Sequence, residues 1–198
     1  GVAAVELLRR HGVAVYASDG GSGPALTAQA AALGGAGAEV ELGRHDLTRI
    51  GRAVAAVVSP GIPPESAPLV AARAAGVPVL AEAELGLRCL TRSRVLAITG
   101  TNGKTTTTAL VAHLLIAGGA QAVSAGNIGR PLSAVALEEP PPEWLAVELS
   151  SFQLHDMPGL APTAGVLTNL SPDHLDRYAT LADYYADTGA DRAEVRTE

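Results

Sequence analysis

Lysine occurs once in these 198 residues, at position 104, and cysteine once, at position 89. A single cysteine rules out an internal disulfide and any metal site assembled from several thiolates. The other 13 of the 14 basic residues are arginines scattered among 20 acidic ones, with no cluster beyond pairs such as Arg9-Arg10. At a net charge of −6 and a pI near 5.3, the chain lacks the concentrated basic face that a phosphodiester backbone demands, which argues against nucleic acid as a partner. No apolar run reaches the roughly 18 residues of a membrane-spanning helix, and no charged-then-apolar leader opens the chain, so no membrane insertion is expected and the cytoplasm is the expected location. Internal repeats and extended low-complexity segments are missing too, and PPP at 140–142 reads as a short loop. No methionine precedes Gly1, which leads directly into an amphipathic pattern (Val2, Val5, Leu7, Leu8), and the far end is the polar run ADRAEVRTE, so both ends are expected to be incomplete. What the chain does have is apolar content, 47% in 20.0 kDa, enough for one large or two small domains with real cores.

Short apolar runs alternate with Ala/Leu-rich helical patterns, which predicts an α/β fold with parallel sheets and crossover helices. Strands are expected at 13–18, 38–42, 55–59, 77–80, 95–99, 121–125, 144–149 and 164–170, most of them continuously apolar, as in strands covered on both faces. Helices are expected at 2–11, 24–34, 65–75, 81–90, 104–117, 131–138 and 180–188, with Gly12, Gly76 and Gly118 at their C-terminal caps. The polar stretch TRSR (91–94) suggests a boundary. A Rossmann-like domain would then occupy 1–91 and a mononucleotide-binding parallel-sheet domain 92–198.

The chemistry concentrates at strand ends. In LAITGTNGKTTTTALVAHLL (96–115) an apolar strand runs into a glycine loop and then a helix. There the backbone N–H groups of Gly100, Thr101, Asn102, Gly103, Lys104, Thr105 and Thr106 can converge on an anion. Lys104 would reach the outer phosphates and the Thr105 hydroxyl would ligate Mg²⁺; the bland alternative is a glycine turn before a threonine-capped helix. The chain's only lysine standing there favours function. Glu148 ends the apolar strand of LAVELSSFQL, either as a Mg²⁺ ligand or as a surface strand-end glutamate, and Ser150 and Ser151 are possible helix caps. In TNLSPDHLDRY another strand leads to Asp173, His174 and Asp176. His174 is a candidate metal ligand with Asp173 behind it; the alternative is that Ser171 or Asp173 simply caps a short helix opened by Pro172. Asn127 in AGNIG contacts substrate or makes a turn. Asp19, with Gly20 after it, and the SPGIPP turn holding Gly61 follow two earlier strands, where they bind a nucleotide sugar or merely form loops. His11, His45, His113 and His155 have no evident partners, and Cys89 and Trp144 are expected to pack.

Together SPGIP, GTNGKTTTT, GNIG, ELSSFQL and SPDHLDRY resemble the Mur ligase family, whose phosphate loop has the short G-T-x-G-K-[ST] form and so needs no glycine at Ile98. Within that family the stretches look most like the branch that adds D-glutamate. The resemblance implies an ATP-dependent amide ligase acting through an acyl phosphate, with UDP-N-acetylmuramoyl-L-alanine and D-glutamate as substrates in peptidoglycan precursor synthesis. By matching position it implies catalytic roles for Lys104 and His174 and ATP binding by residues 100–106. It also implies one Mg²⁺ on Thr105 and Glu148, a second on His174, substrate contacts from Asp19, Gly20, Gly61 and Asn127, and a monomer. The family's opening strand and glycine turn are not found before Gly1, nor its C-terminal domain after residue 198, so the isolated chain is expected not to turn over. Where the family has a carbamoylated lysine this sequence has Thr188, or Arg192 after a small insertion. Another Mur or folate-polyglutamate-type ligase, or a degenerate nucleotide-binding module, are the alternatives.

Overall fold

The computed structural model describes residues 1–173, 178 and 180–189. In the N-terminal half, α1 (Val2–Arg10) turns Ala4, Val5 and Leu7 inward. Strand β1 (Tyr16–Asp19) pairs in parallel with β2 (Glu39–Leu42) through the crossover helix α2 (Pro24–Gly35), placing Asp19 opposite Leu42. A short helix, α3 (Leu47–Ile50), is opened by Asp46, whose carboxylate accepts the Arg49 N–H. Strand β3 (Ala56–Val58) pairs in parallel with β4 (Val79–Ala81) through α4 (Ala67–Ala74). Helix α5 (Glu82–Cys89) follows.

The C-terminal half holds β5 (Arg94–Thr99), α6 (Lys104–Ala117), β6 (Ala122–Gly126), α7 (Leu132–Val135), β7 (Trp144–Glu148), α8 (Ser151–His155), β8 (Ala164–Leu167) and α9 (Leu181–Asp187). Its four strands form one parallel sheet in the order β6-β7-β5-β8. The inner position of β7 explains its sequence: Leu145, Ala146 and Val147 are all fully buried, as a strand covered on both faces requires. Each buried leucine here stabilises the fold by about 1.5–3 kcal/mol. Edge strand β8 is exposed at Ala164, Gly165 and Val166.

Helix α5 packs onto this sheet's core. Ala83 and Leu90 share one cluster with Leu132, Val135, Leu145 and Val147. Contact with α7 is close enough that a Cβ on Gly86 would stand 2.5 Å from the Leu132 carbonyl carbon. No helix among the described residues is long and apolar enough to cross a membrane.

Each expected strand is present, shifted or trimmed at its ends, and two helices go beyond expectation. Helices α3 and α8, of four and five residues, are too short for the 3.6-residue periodicity to register. Gly118 is the C-cap of α6 as expected, at φ −78°, and the left-handed residue that follows is Gly119, at φ 87°. Residues 171–173 lie outside any helix, and a short helix capped by Asp173 would fall on 174–177, outside the described residues. Cys89 is exposed, because the buried face of α5 runs through Glu82 to Gly86.

Candidate functional site

The carboxyl ends of the four parallel strands meet at one edge, where Gly126, Glu148 and Ile98 lie side by side in register. Loop 100–103 rises from that edge after β5. Gly100 takes φ 128°, and a side chain there would collide with Thr168. Gly103, at φ 83°, is the N-cap of α6 and provides no side-chain cap. The first-turn N–H groups of α6 are therefore available to an anion, with the helix dipole favouring negative charge. Lys104 Nζ donates to the carbonyls of Gly100 (2.8 Å) and Thr101 (3.0 Å), folding over the same loop, while Thr105 and Thr106 are exposed.

Thr101 is locked by its hydroxyl. Oγ1 donates to Ser171 O (3.0 Å) and accepts Ser171 N–H (2.9 Å), and it lies 2.9 Å from the hydroxyl of Tyr184, which is 2% exposed. Having given its one proton to Ser171, Thr101 receives the Tyr184 proton.

Glu148 is 2% exposed at the end of β7, and its Oε1 accepts from Asn127 Nδ2 at 3.2 Å. Asn127 also donates its backbone N–H to Glu148 O (2.9 Å). Their approach needs glycine at 126, φ 114°, because a Cβ there would collide with the Glu148 carbonyl. Among the described residues no cationic side chain pairs with Glu148. A buried carboxylate held by one amide is a costly arrangement that a bound cation would relieve. Ser150 caps α8 in a reciprocal pair with Gln153, so the cap alternative holds for Ser150; Ser151, the first residue of the helix, is buried instead.

The structure brings loop 100–103, Lys104, Glu148, Asn127 and the segment after β8 to one edge. Asp19 ends β1, Gly20 follows it in a bend, and Gly61 lies in the turn after β3, all in the N-terminal half. Asp19 Oδ1 accepts the Gly21 N–H at 2.8 Å, and Gly61 makes a turn at φ 88° after β3. His174, Asp176 and Arg192 lie outside the described residues. Thr188 is buried and its hydroxyl donates to Tyr185 O at 2.7 Å.

Two histidines have partners that local sequence does not reveal. His45 Nδ1 is 2.8 Å from Ser18 Oγ, and His155 Nδ1 is 3.1 Å from Asp187 Oδ1. His155 lines a cleft of about 390 Å³ with Ile62, Pro64, Phe152, Asp156 and Tyr178. Burial pushes the Asp156 carboxyl above its ordinary range despite the pull of His155 and of Arg73, 3.6 Å away. Thr168, Asn169 and Tyr184, which grip loop 100–103, were also hidden in the sequence. The only signal was a polar Thr-Asn pair at the end of an apolar run, and the strand in fact stops at Leu167.

The sequence matches the Mur ligase middle domain over residues 98–190. It is 46% identical over 186 residues to the UDP-N-acetylmuramoylalanine--D-glutamate ligase of Frankia casuarinae, covering 94% of this chain and 39% of that protein. The ligase of the same name from Gloeobacter violaceus is 44% identical, with 94% and 42% covered. The chain thus spans about two fifths of the length of these curated relatives. Among solved structures, UDP-N-acetylmuramate:L-alanyl-gamma-D-glutamyl-meso-diaminopimelate ligase from Neisseria meningitides has a TM-score of 0.52 at 21% identity, covering 94% of this chain and 62% of that one, a likeness of fold.

Proposed function

The chain belongs to the Mur ligase family, and from that premise we propose that it supplies the substrate-binding and ATP-binding parts of a ligase adding D-glutamate to UDP-N-acetylmuramoyl-L-alanine. The carrying observation is the single edge at which the uncapped start of α6, Lys104, and the Glu148–Asn127 pair converge. In this reading residues 1–91 bind the UDP end through Asp19, Gly20 and the turn at Gly61, and residues 92–198 bind ATP. The enzyme would work in the cytoplasm as a monomer, in peptidoglycan precursor synthesis.

ATP is the co-substrate. The 100–106 stretch receives its phosphates through N–H groups other than those of Thr101 and Asn102, which Asn169 engages, and Lys104 leaves the Gly100 and Thr101 carbonyls to meet the outer ones. As the substrate carboxylate displaces ADP to form an acyl phosphate, charge builds on the transferring group, and Lys104 with the α6 dipole stabilises it. Asn127 orients the muramoyl-alanine portion so that carboxylate and phosphate meet in line. The amino group of D-glutamate then attacks the acyl carbon and phosphate leaves. Thr105 and Glu148 offer the hard oxygens that suit Mg²⁺, with His174 proposed for a second ion, and bound Mg²⁺ would neutralise phosphate charge.

The test is calorimetric titration of MgATP into the wild-type chain and Lys104→Ala, with UDP-N-acetylmuramoyl-L-alanine as second titrant. Binding by the wild type and loss of at least about tenfold in the variant is expected, the weight of one charge-assisted contact; equal affinities would refute the reading. One observation favours a second reading, nucleotide binding without ligation: Thr188 offers a hydroxyl and no amine to carbamoylate. ADP formation dependent on both substrates, once the chain is supplied with a family C-terminal domain, would rule that out.

A further inference from the structure

We infer that Asn169 is a positioning residue that gives the phosphate loop its shape and ties it to the segment leading to Asp173. The inference rests on the phosphate-loop reading above. Beyond Leu167 the chain leaves β8 and directs its next two side chains at the loop. Asn169 Oδ1 accepts the Asn102 N–H at 3.0 Å, and its Nδ2 donates to the Asn102 carbonyl at 2.8 Å. Its own carbonyl accepts the Thr101 N–H at 2.9 Å. One side chain thus holds both polar groups of a loop residue 67 positions away in sequence.

The pairing also fixes the amide's orientation. Turned over, it would set N–H against N–H and oxygen against oxygen, so only one placement satisfies the site. Thr168 Oγ1 donates to the same Asn102 carbonyl at 2.7 Å, filling its second lone pair. Gly100 has no side chain to obstruct this approach, since a Cβ there would meet Thr168 and the Asn169 backbone. With the N–H groups of Thr101 and Asn102 engaged from the β8 side, the opening of the loop is turned to the uncapped first turn of α6. Residues 168–171 therefore act as a clamp: the loop that would hold ATP and the stretch running to Asp173 move as one body.

Asn169→Ala and Asn169→Leu, in the full 198-residue chain, test this with two readouts. The first is amide hydrogen exchange at Asn102 without nucleotide, against core amides at Leu145 and Val147. The second is calorimetric MgATP affinity. In both variants Asn102 is expected to exchange roughly tenfold faster while the core amides keep wild-type rates, and MgATP to bind roughly tenfold more weakly. Wild-type exchange at Asn102, acceleration shared equally by the core, or unchanged MgATP affinity in variants of a binding-competent chain would each overturn the inference. A wild-type chain that binds no MgATP refutes the phosphate-loop reading instead, and exchange at Asn102, read without nucleotide, still decides the role of Asn169.

Discussion

Glu148 has opposing effects on stability and chemistry, and its substitution should separate them. Its carboxylate is buried and, among the described residues, has only the Asn127 amide for a partner, so removing the charge relieves a desolvation cost. Glu148→Gln is therefore expected to be as stable as the wild type or more so in urea unfolding, while Mg²⁺-dependent ATP affinity falls at least about tenfold. A clear loss of stability would show that the charge is satisfied in the free protein. Gly86 carries a different constraint, because a methyl group there meets the Leu132 and Ser133 backbone at 2.5 and 2.7 Å. Backbone yields less readily than a side-chain tip, so Gly86→Ala should cost about 1–3 kcal/mol by the same assay. Lys104 was recognisable from its neighbours in sequence because strand, glycine loop and helix are contiguous. Thr168, Asn169 and Tyr184 were not, since their contacts with the loop span 66 to 83 positions.

Among the elements, α6 and α8 begin in opposite ways. Helix α6 starts at a left-handed glycine with no side-chain cap, so its N-terminal donors stay available. Helix α8 starts with Ser150 and Gln153 satisfying each other's backbone groups. Ser150→Ala is thus expected to lose about 1 kcal/mol of stability, measured by urea unfolding, and to leave MgATP affinity unchanged. A large fall in affinity would place Ser150 in the site itself. The strands were legible because β7 and its neighbours are apolar along their length, which only a doubly covered strand tolerates. The five-residue α8 has no periodicity to read, and its cap became decisive only once Glu148 was seen to end the strand before it.

Across the whole molecule the two halves share a core. Leu90 and Ala83, which precede the proposed division at 91/92, pack in one cluster with Leu145 and Val147. A chain cut to 92–198 should therefore expose that face and unfold at lower urea than one cut to 78–198, with increased binding of an apolar dye. Equal midpoints would mean that α5 is dispensable to the sheet. Sequence alone determined the α/β class, the strands, the glycine loop between β5 and α6 and the strand-end position of Glu148, because each is written in a local run whose periodicity, apolarity or glycine content has a direct backbone consequence. It also determined the acidic balance and the lone lysine. Tertiary structure decided the rest: that β7 lies inside the sheet, that Gly126 lets Asn127 meet Glu148, that α5 covers a core beyond its own half, and that Asn169 grips Asn102. Those facts depend on groups distant in the chain arriving within hydrogen-bond or van der Waals range, and no local pattern encodes that range.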